Sequence, residues 1–508
     1  MKVAKKGLIN ILCGVLGQVI AIGLGIIIPR LVLVSFGSEV NGLLNSVNQI
    51  IVYFSLFEAG IGLASMQALY APVAGKDHLA ISKIMKATHL FYKKAGIAYG
   101  LSVIVLAFVY PFFVNTDLNY WLIFMVIIFT GFAGCLNFAY QGKYKILLQA
   151  EGYTYVVTNI TTIINVLVNV TKTILLFLGF DVLSVQFSFF LINVIQILIY
   201  KYYINKHYSW LDFTVEPDNK AIEQKNATLI HQISGMIFSN TDVLLLTVIT
   251  HNLKIVSIYT MYNLIITMVT TMFQQVSTGF DFRLGQLYNT EKKTYFRFHD
   301  IFEIVYLIII FATMTVVYIL ILPFMRLYTA GVNDINYINS MYPLIFVIVP
   351  LLSYGRTAPS NLINYAGHFK KTQWRALAES IINICVSIFG IIFFGIYGAL
   401  LGTIVASLYR TNDMIIYVYR HLMEGSCFRT YKRWIVNFIV FACVVLFVNN
   451  DNRWINSYPR LLLVGIILTV VSFLVYILAQ LIINPKEFKN MSDVMKDTLK
   501  NRGKKDGK

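Results

Sequence analysis

Long apolar blocks, separated by short polar segments, run through almost the whole chain. A helix needs about 20 apolar residues, at a rise of 1.5 Å per residue, to cross ~30 Å of hydrocarbon. Because the blocks reach this length, the pattern predicts an all-α polytopic membrane protein with about 14 transmembrane helices. The predicted spans are 8–34, 41–71, 95–114, 119–142, 152–179, 182–204, 227–250, 255–283, 299–324, 341–366, 374–395, 397–419, 432–449 and 458–483.

The longest polar interruption, residues 205–226, separates the first six predicted spans from the next six. Short segments recur in the same order in both halves; Ile163-Ile164-Asn165, for example, recurs as Ile381-Ile382-Asn383. This similarity predicts two six-helix lobes related as parallel repeats, with the site between them, and two extra helices. The predicted divisions are an N-terminal lobe (1–204), a cytoplasmic linker (205–226), a C-terminal lobe (227–421), two extra transmembrane helices (422–484) and a basic cytoplasmic tail (485–508).

The composition of the chain also indicates a membrane protein. Of the 508 residues, 57% are hydrophobic and 13% are charged, whereas a soluble domain has roughly 25% charged residues. The chain therefore has no room for a large soluble domain. Its five cysteines are scattered without the spacing of a metal site or a disulfide framework, so neither a metal nor a cofactor is predicted.

Lysine and arginine predict the orientation of the spans. If the N-terminus is cytoplasmic, most of the 41 basic residues lie at the inner surface or in the inner halves of helices, which is the positive-inside asymmetry. Both termini are then cytoplasmic. Residues 79–94 mix apolar and basic side chains and are expected to lie along the inner lipid surface, and no basic patch suggests nucleic acid binding. The exceptions to the asymmetry are Arg30, Lys254, Arg326, Arg453 and Arg460 at the outer side and Lys172 inside the fifth span.

Ionisable residues inside the spans are the main indication of a site, because an acidic side chain at a helix centre costs on the order of 3 kcal/mol. Glu58 lies in the second span, within Ser55-Leu56-Phe57-Glu58-Ala59-Gly60-Ile61-Gly62, whose glycines permit close helix packing or a bend. Arg356 lies in the middle of the tenth span, where Pro359 frees a backbone carbonyl and is expected to break the helix. The residues predicted to line a substrate cavity are Arg30, Glu58, Gln141, Lys172, Asp242, Gln274, Arg356, Arg410 and Asp413.

Structural roles compete with this interpretation. Arg410 and Asp413 are three residues apart, near enough to pair on one helix face, and a self-neutralising pair is favoured over a ligand site there. Gln141 is the counterpart of Arg356 in the first repeat. Glu379 is expected to lie near the inner end of its helix, away from the site.

Uncharged polar side chains also occur within the spans. They would suit a wet, sugar-tolerant cavity, and they are equally common in hydrogen bonds between membrane helices. Both uses stay open for Gln18, Asn45, Asn48, Asn165, Asn169, Asn240, Asn263, Gln274 and Gln275.

The opening of the chain resembles that of a known family. The lysine-rich start with Gly7 to Arg30, the Phe36-Gly37 and Val40-Asn41-Gly42-Leu43 segments, and the stretch around Glu58 are similar to polysaccharide-unit flippases. These flippases belong to the multidrug/oligosaccharidyl-lipid/polysaccharide (MOP) exporter superfamily. The six-plus-six helix layout with two C-terminal helices extends the resemblance over nearly the full length.

The resemblance implies a two-lobed exporter of the bacterial cytoplasmic membrane that works by alternating access. Its expected cargo is an undecaprenyl-pyrophosphate-linked oligosaccharide, moved to the outer leaflet for capsule, O-antigen or exopolysaccharide assembly. Arg30, Lys172 and Arg356 would then be cationic contributors to the cavity, since guanidinium groups bind phosphates through charge-assisted hydrogen bonds. Glu58 would either hold one arginine in place or bind a coupling cation, Na⁺ or H⁺. Besides membrane lipids, the implied partners are a polysaccharide polymerase and glycosyltransferases.

Two other functions compete with the flippase. A multidrug or peptidoglycan-precursor exporter of the same superfamily would share the fold, although Arg356 and Lys172 count against a drug exporter, whose interior should be more acidic. A membrane glycan-assembly enzyme would need a large outer loop with catalytic residues. The longest predicted outer loop, 327–340, is short, and the chain has no glycine-rich phosphate loop, HExxH or GxSxG motif, so we predict a transporter.

Overall fold

The computed structural model describes residues 3–58, 61–222, 226–423 and 425–489, and within these ranges the structure is helical, with no β-strand. Short 3₁₀ segments and one π-helical segment, Asn137–Gln141, join some of the helices. The helices are α1 (Val3–Phe54), α2 (Ile61–Gly75), α3 (His78–Val109), α4 (Tyr120–Leu136), α5 (Gly142–Ala150), α6 (Thr154–Phe177), α7 (Val182–His207), α8 (Asn226–Thr250), α9 (Leu253–Thr290), α10 (Lys292–Tyr328), α11 (Tyr342–Gly355), α12 (Thr357–Tyr365), α13 (Phe369–Phe394), α14 (Ile396–His421), α15 (Phe428–Phe447) and α16 (Tyr458–Ile483).

Eleven segments of the described chain are long and apolar enough to cross a membrane. The predicted count of spans is higher for three structural reasons. Helix α1 contains the first predicted span and the first part of the second, so the two count as one segment. The span predicted at 341–366 is divided between α11 and α12, and the span at 397–419 corresponds to α14, which carries Arg410 and Asp413 among its apolar residues. The all-α polytopic class predicted from hydropathy is confirmed.

Gly37 separates the two spans inside α1. Its backbone has φ 81° and ψ 179°, and a positive φ is readily adopted by glycine because it has no Cβ. The backbone N–H of Ser38, at the start of the second span, donates to Asp334 Oδ2 at 2.8 Å, and the Ser38 hydroxyl donates to Asp334 Oδ1 at 2.7 Å. A carboxylate in this position satisfies a donor that the start of a helix leaves unpaired.

The second span is interrupted where its glycines predict a bend. Helix α1 ends at Phe54, a 3₁₀ turn covers Ser55–Glu58, and α2 begins at Ile61. Gly60 and the side chain of Glu58 lie outside the described residues, so the cavity role of Glu58 stays a prediction.

The chain forms two compact units. Unit 1 comprises residues 1–260 with 331–335, and unit 2 comprises residues 261–330 with 336–508. Helix α8, which the sequence repeat assigns to the C-terminal lobe, belongs to unit 1. Polar contacts tie it to α1: the hydroxyl groups of Tyr53 and Thr241 lie 2.7 Å apart, and those of Ser46 and Thr247 lie 2.8 Å apart. The compact units and the predicted repeat are therefore different divisions of the chain.

Within unit 2, helices α13 and α14 approach each other closely at small residues. A Cβ on Gly398 would lie 1.9 Å from the backbone carbon of Gly390, and a Cβ on Gly402 would lie 2.1 Å from Ser387 Oγ. Gly398 and Gly402 are four residues apart and lie on one face of α14, the spacing that lets membrane helices pack backbone to backbone.

We therefore expect Gly398→Ala to destabilise the protein, because its methyl group would collide with backbone atoms of α13. Overpacking typically costs about 1–3 kcal/mol, which should appear as a lower midpoint of thermal unfolding in detergent, followed by size-exclusion chromatography. Gly279→Ala is the matched control, since a Cβ at Gly279 meets no atom within 4 Å and alanine favours helix. Equal midpoints for the two variants would contradict the close contact.

Candidate functional site

The tenth predicted span breaks at Arg356. Helix α11 ends at Gly355 and α12 begins at Thr357, with Arg356 between them at φ −81° and ψ 6°. Pro359 explains the position of the break, because proline has no N–H to donate to the carbonyl four residues earlier, which is that of Gly355. The interruption predicted from Pro359 is present, and it places a guanidinium at the junction of two half-helices.

The Arg356 guanidinium joins a chain of buried ion pairs in unit 2. Arg356 Nη2 lies 2.6 Å from Glu379 Oε1, and Arg410 Nε lies 3.5 Å from Glu379 Oε2. Arg410 Nη1 lies 2.7 Å from Asp413 Oδ2, and Arg375 also pairs with Asp413. The side chains of Arg356, Glu379, Arg410 and Asp413 are 12%, 9%, 4% and 13% exposed. We call these five residues the arginine network.

The arginine network holds three guanidinium groups and two carboxylates, so its own residues leave one positive charge in excess. Two charges removed from water attract strongly, but their desolvation offsets much of that attraction. An excess cation in such a setting is a favourable place for an anion that can hydrogen-bond to guanidinium.

Some contacts of the arginine network were predicted from the sequence and others were not. Arg410 and Asp413 pair as their spacing predicts. Glu379, which the sequence analysis left out of the predicted cavity, is the carboxylate that links Arg356 to Arg410. The link depends on contacts between α11, α13 and α14, and helical spacing within one segment carries no signal of it.

A second buried cluster, missed by the sequence analysis, ties α15 to α10. Arg433 is fully buried and pairs with Glu303 and with Asp300 at 2.9 Å. Thr430 Oγ1 donates to Glu303 Oε1 at 2.9 Å, and Gln480 of α16 donates to the backbone carbonyl of Arg433 at 3.0 Å. These contacts hold both predicted extra helices against α10 within unit 2. The acidic residues Asp300 and Glu303 lie at the start of the span predicted at 299–324, and a charge at the end of a span does not by itself indicate a buried ion pair.

The counterpart predicted for Arg356 lies in unit 1 at another helix irregularity. Gln141 ends the π-helical segment between α4 and α5 and is fully buried. Its Nε2 donates to Asn137 Oδ1 at 2.6 Å, and Asn137 Nδ2 donates to Asn193 Oδ1 at 2.6 Å. π-Helical segments occur often at functional sites, so both spans of the predicted repeat pair depart from regular α-helix at the matched position.

The other candidate residues with described side chains lie on separate helices. Asp242 is buried in unit 1 and accepts a 2.8 Å hydrogen bond from Tyr259, while Lys172 lies 4.8 Å from the ring of Phe189 on α7. In unit 2, Gln274 donates to Tyr354 at 3.2 Å. Arg30 lies on α1, partly buried. Of the nine predicted cavity residues, direct contacts join Arg410 with Asp413, and Glu379 connects that pair to Arg356.

The described chain is that of an all-α polytopic membrane protein. No protein-family model and no curated protein matches the chain, but solved structures match its fold. The structure of the lipid II flippase MurJ in an inward closed conformation aligns over 92% of this chain and 98% of that chain, with a TM-score of 0.68 and 15% identity.

Multidrug transporters share the fold too. An inward-facing multidrug resistance MATE family transporter of the MOP superfamily aligns over 79% of this chain and 95% of its own, with a TM-score of 0.64 and 13% identity. A mutant of the Vibrio cholerae MATE transporter VcmN aligns over 84% and 98%, with a TM-score of 0.55 and 14% identity. The chain therefore shares its fold with these solved structures, which confirms the predicted fold and, at the level of the fold, the predicted resemblance.

The arginine network predicts a specific response to the loss of its shared carboxylate. Glu379→Gln would leave Arg356 and Arg410 without the group that pairs with both, and breaking a buried ion pair typically costs about 3–5 kcal/mol. We expect a clear fall in the thermal unfolding midpoint. Glu216→Gln is the matched control, because Glu216 is exposed in the linker. It removes the same charge and should leave the unfolding midpoint unchanged.

A double variant separates this effect from a simple packing defect. Glu379→Gln with Arg356→Gln removes one of the two orphaned charges and should recover part of the lost stability. If the double variant is as unstable as the sum of its single variants, Arg356 and Glu379 do not interact as the geometry indicates.

Proposed function

We propose that this protein is a flippase for undecaprenyl-pyrophosphate-linked oligosaccharide units. It moves them from the inner to the outer leaflet by alternating access, for capsule, O-antigen or exopolysaccharide assembly. In this proposal the protein resides in the bacterial cytoplasmic membrane with both termini in the cytoplasm. The MOP fold supports a transporter, and the positive excess of the arginine network is the observation that supports an anionic lipid-linked cargo.

A pyrophosphate group cannot cross hydrocarbon without partners, because desolvating an unpaired ion is very costly. Guanidinium groups meet this need, since they stay charged and donate paired hydrogen bonds to phosphate oxygens. Arg356 is suited to this role because it stands at the α11–α12 junction with a side chain that is 12% exposed.

Glu379 gives Arg356 a partner within the protein. Its Oε1 lies 2.6 Å from Arg356 Nη2, so Glu379 orients the arginine and balances its charge. An arriving pyrophosphate would compete with Glu379 for Arg356 and leave that carboxylate with Arg410. This exchange keeps the buried charges paired both before and after binding.

A multidrug exporter is the second candidate, favoured by a carboxylate in α9. Asp281 Oδ1 accepts hydrogen bonds from Asn361 Nδ2 and Tyr365 Oη, both at 2.8 Å. Among the described residues no lysine or arginine lies within 4 Å of this carboxylate. A carboxylate held by neutral donors attracts cations, so Asp281 would serve cationic cargo in that alternative.

Transport in sealed proteoliposomes tests the proposal. We expect wild-type protein to translocate an undecaprenyl-pyrophosphate oligosaccharide, and Arg356→Gln to slow the initial rate about 10- to 100-fold, the effect of losing a charge-assisted hydrogen bond of ~1.5–3 kcal/mol. Arg356→Lys, which keeps the charge but not the planar fork, should fall between the two.

Arg453→Gln is the matched control for this assay, because Arg453 is 83% exposed in an outer loop. It should transport at the wild-type rate when incorporation is equal. Wild-type protein that moves no lipid-linked glycan but exports drug cations, with export lost in Asp281→Asn, would overturn the proposal in favour of the multidrug exporter.

A further inference from the structure

Helix α6 carries a continuous polar stripe on one face. Thr158, Thr162, Asn165, Asn169 and Lys172 recur at helical spacing and fall within an arc of roughly 100° around the helix axis. The stripe extends over roughly 20 Å of the helix at 1.5 Å per residue. We call these five residues the α6 stripe.

The centre of the α6 stripe lies at the middle of a membrane span. Asn165 is near the midpoint of α6, which has 24 residues, and its side chain is exposed. Among the described residues its carboxamide has no hydrogen-bond partner, since Asn169 donates to the Asn165 backbone carbonyl and not to its side chain. An unsatisfied polar group costs several kcal/mol in hydrocarbon, so this face is suited to water or to a polar ligand.

The opposite face of α6 is apolar and exposed, as expected for a face in contact with lipid. Ile163, Val170 and Ile174 are 61%, 45% and 52% exposed, and they lie on the far side of the axis from Asn165. The helix therefore exposes an apolar face and a separate polar face, and hydrocarbon explains only the first.

The α6 stripe borders a cleft inside unit 1. Thr162, Asn165 and Asn169 form one wall, and Ile20, Leu24 and Ile28 of α1 contribute to the other, around a cavity of about 250 Å³. Gly17 brings α1 close to α6, since a Cβ there would lie 2.7 Å from Thr162 Oγ1.

The chemistry of the cleft fits hydroxyl groups. Threonine hydroxyls and asparagine carboxamides both donate and accept hydrogen bonds, and no lining residue is acidic. Lys172, at the end of the stripe toward the C-terminus of α6, has no carboxylate within 4 Å among the described residues. A cationic drug would find no counter-charge here, whereas a sugar offers a hydroxyl to each of these groups.

We propose that the α1–α6 cleft is a water-filled carbohydrate subsite that binds the sugar part of the cargo through the α6 stripe. This inference rests on the proposed function for the identity of the cargo. The first part of the proposal, that the polar face of α6 is in contact with water, does not depend on the proposed function. Asn165 and Asn169, one helical turn apart, are the residues that discriminate between sugars in this subsite.

Cysteine accessibility tests whether the polar face of α6 is in contact with water. In a full-length background with the native cysteines replaced, Asn165→Cys and Thr158→Cys should react in proteoliposomes with a charged, membrane-impermeant maleimide. Ile163→Cys and Val170→Cys should react at least ten-fold more slowly, because their face contacts lipid. Equally slow reaction at Asn165→Cys and Ile163→Cys would overturn the inference.

Ligand protection tests the sugar assignment. Undecaprenyl-pyrophosphate oligosaccharide should slow labelling of Asn165→Cys several-fold, and undecaprenyl pyrophosphate without sugar should not. Equal protection by both lipids, or protection by neither, would overturn the assignment of the cleft to carbohydrate. The transport assay of wild-type protein, run on the same lipids, separates the two proposals. Transport without sugar-specific protection would contradict only the carbohydrate subsite, whereas absence of transport would contradict the flippase proposal.

A transport variant completes the test. Asn165→Leu removes the carboxamide from the cleft and should raise the KM for the lipid-linked oligosaccharide about ten-fold, the effect of losing roughly one net hydrogen bond. Ile163→Leu, on the lipid face, should keep the wild-type KM. An unchanged KM in Asn165→Leu, in protein that transports at the wild-type rate, would contradict a sugar contact at this residue.

Discussion

The cost of an unpaired charge or polar group in hydrocarbon is the constraint on which this structure depends. It explains why Glu379 lies between Arg356 and Arg410, and why the fully buried Arg433 has Glu303 beside it. Buried pairs of this kind add little net stability compared with apolar contacts, but losing one partner is strongly destabilising. The Arg433 cluster holds helices together, and for the arginine network we propose binding of an anionic cargo.

The same constraint applies to the backbone where helices are interrupted. Irregular backbone at membrane depth is tolerated where it is buried in protein or lines a cavity. Backbone irregularities occur at Arg356, in the π-helical segment ending at Gln141 and in the 3₁₀ turn at Ser55–Glu58, and Gln141 is fully buried. Each lies at or beside a residue that its chemistry marks as a candidate for function, so backbone irregularity and polar side chains coincide.

Hydropathy was sufficient to predict the class of the fold, because the length of a span is set by the membrane and not by tertiary contacts. The i, i+3 spacing predicted the pairing of Arg410 with Asp413, and Pro359 predicted the helix break, since both effects are local. The connection through Glu379 and the cluster around Arg433 could not be predicted in this way. Each depends on which faces of separate helices meet, and a single sequence contains no direct record of that.

Asn165 shows the limit of local reasoning most clearly. Its residue type suits both a wet cavity and a hydrogen bond between helices, and the sequence has no means of choosing. The structure shows its side chain exposed at the centre of α6 without a partner among the described residues, which favours the wet cavity. The functional distinction between flippase and drug exporter likewise depends on cationic or acidic surroundings, which only the three-dimensional grouping of charges reveals.

Native mass spectrometry of the purified protein tests the central claim, selective binding of a pyrophosphate-linked glycan, most directly. The account predicts that undecaprenyl-pyrophosphate oligosaccharide is retained in preference to cardiolipin, an anionic lipid without that head group, and that Arg356→Gln abolishes the preference while Arg453→Gln preserves it. Equal retention of the two lipids by wild-type protein would contradict the claim.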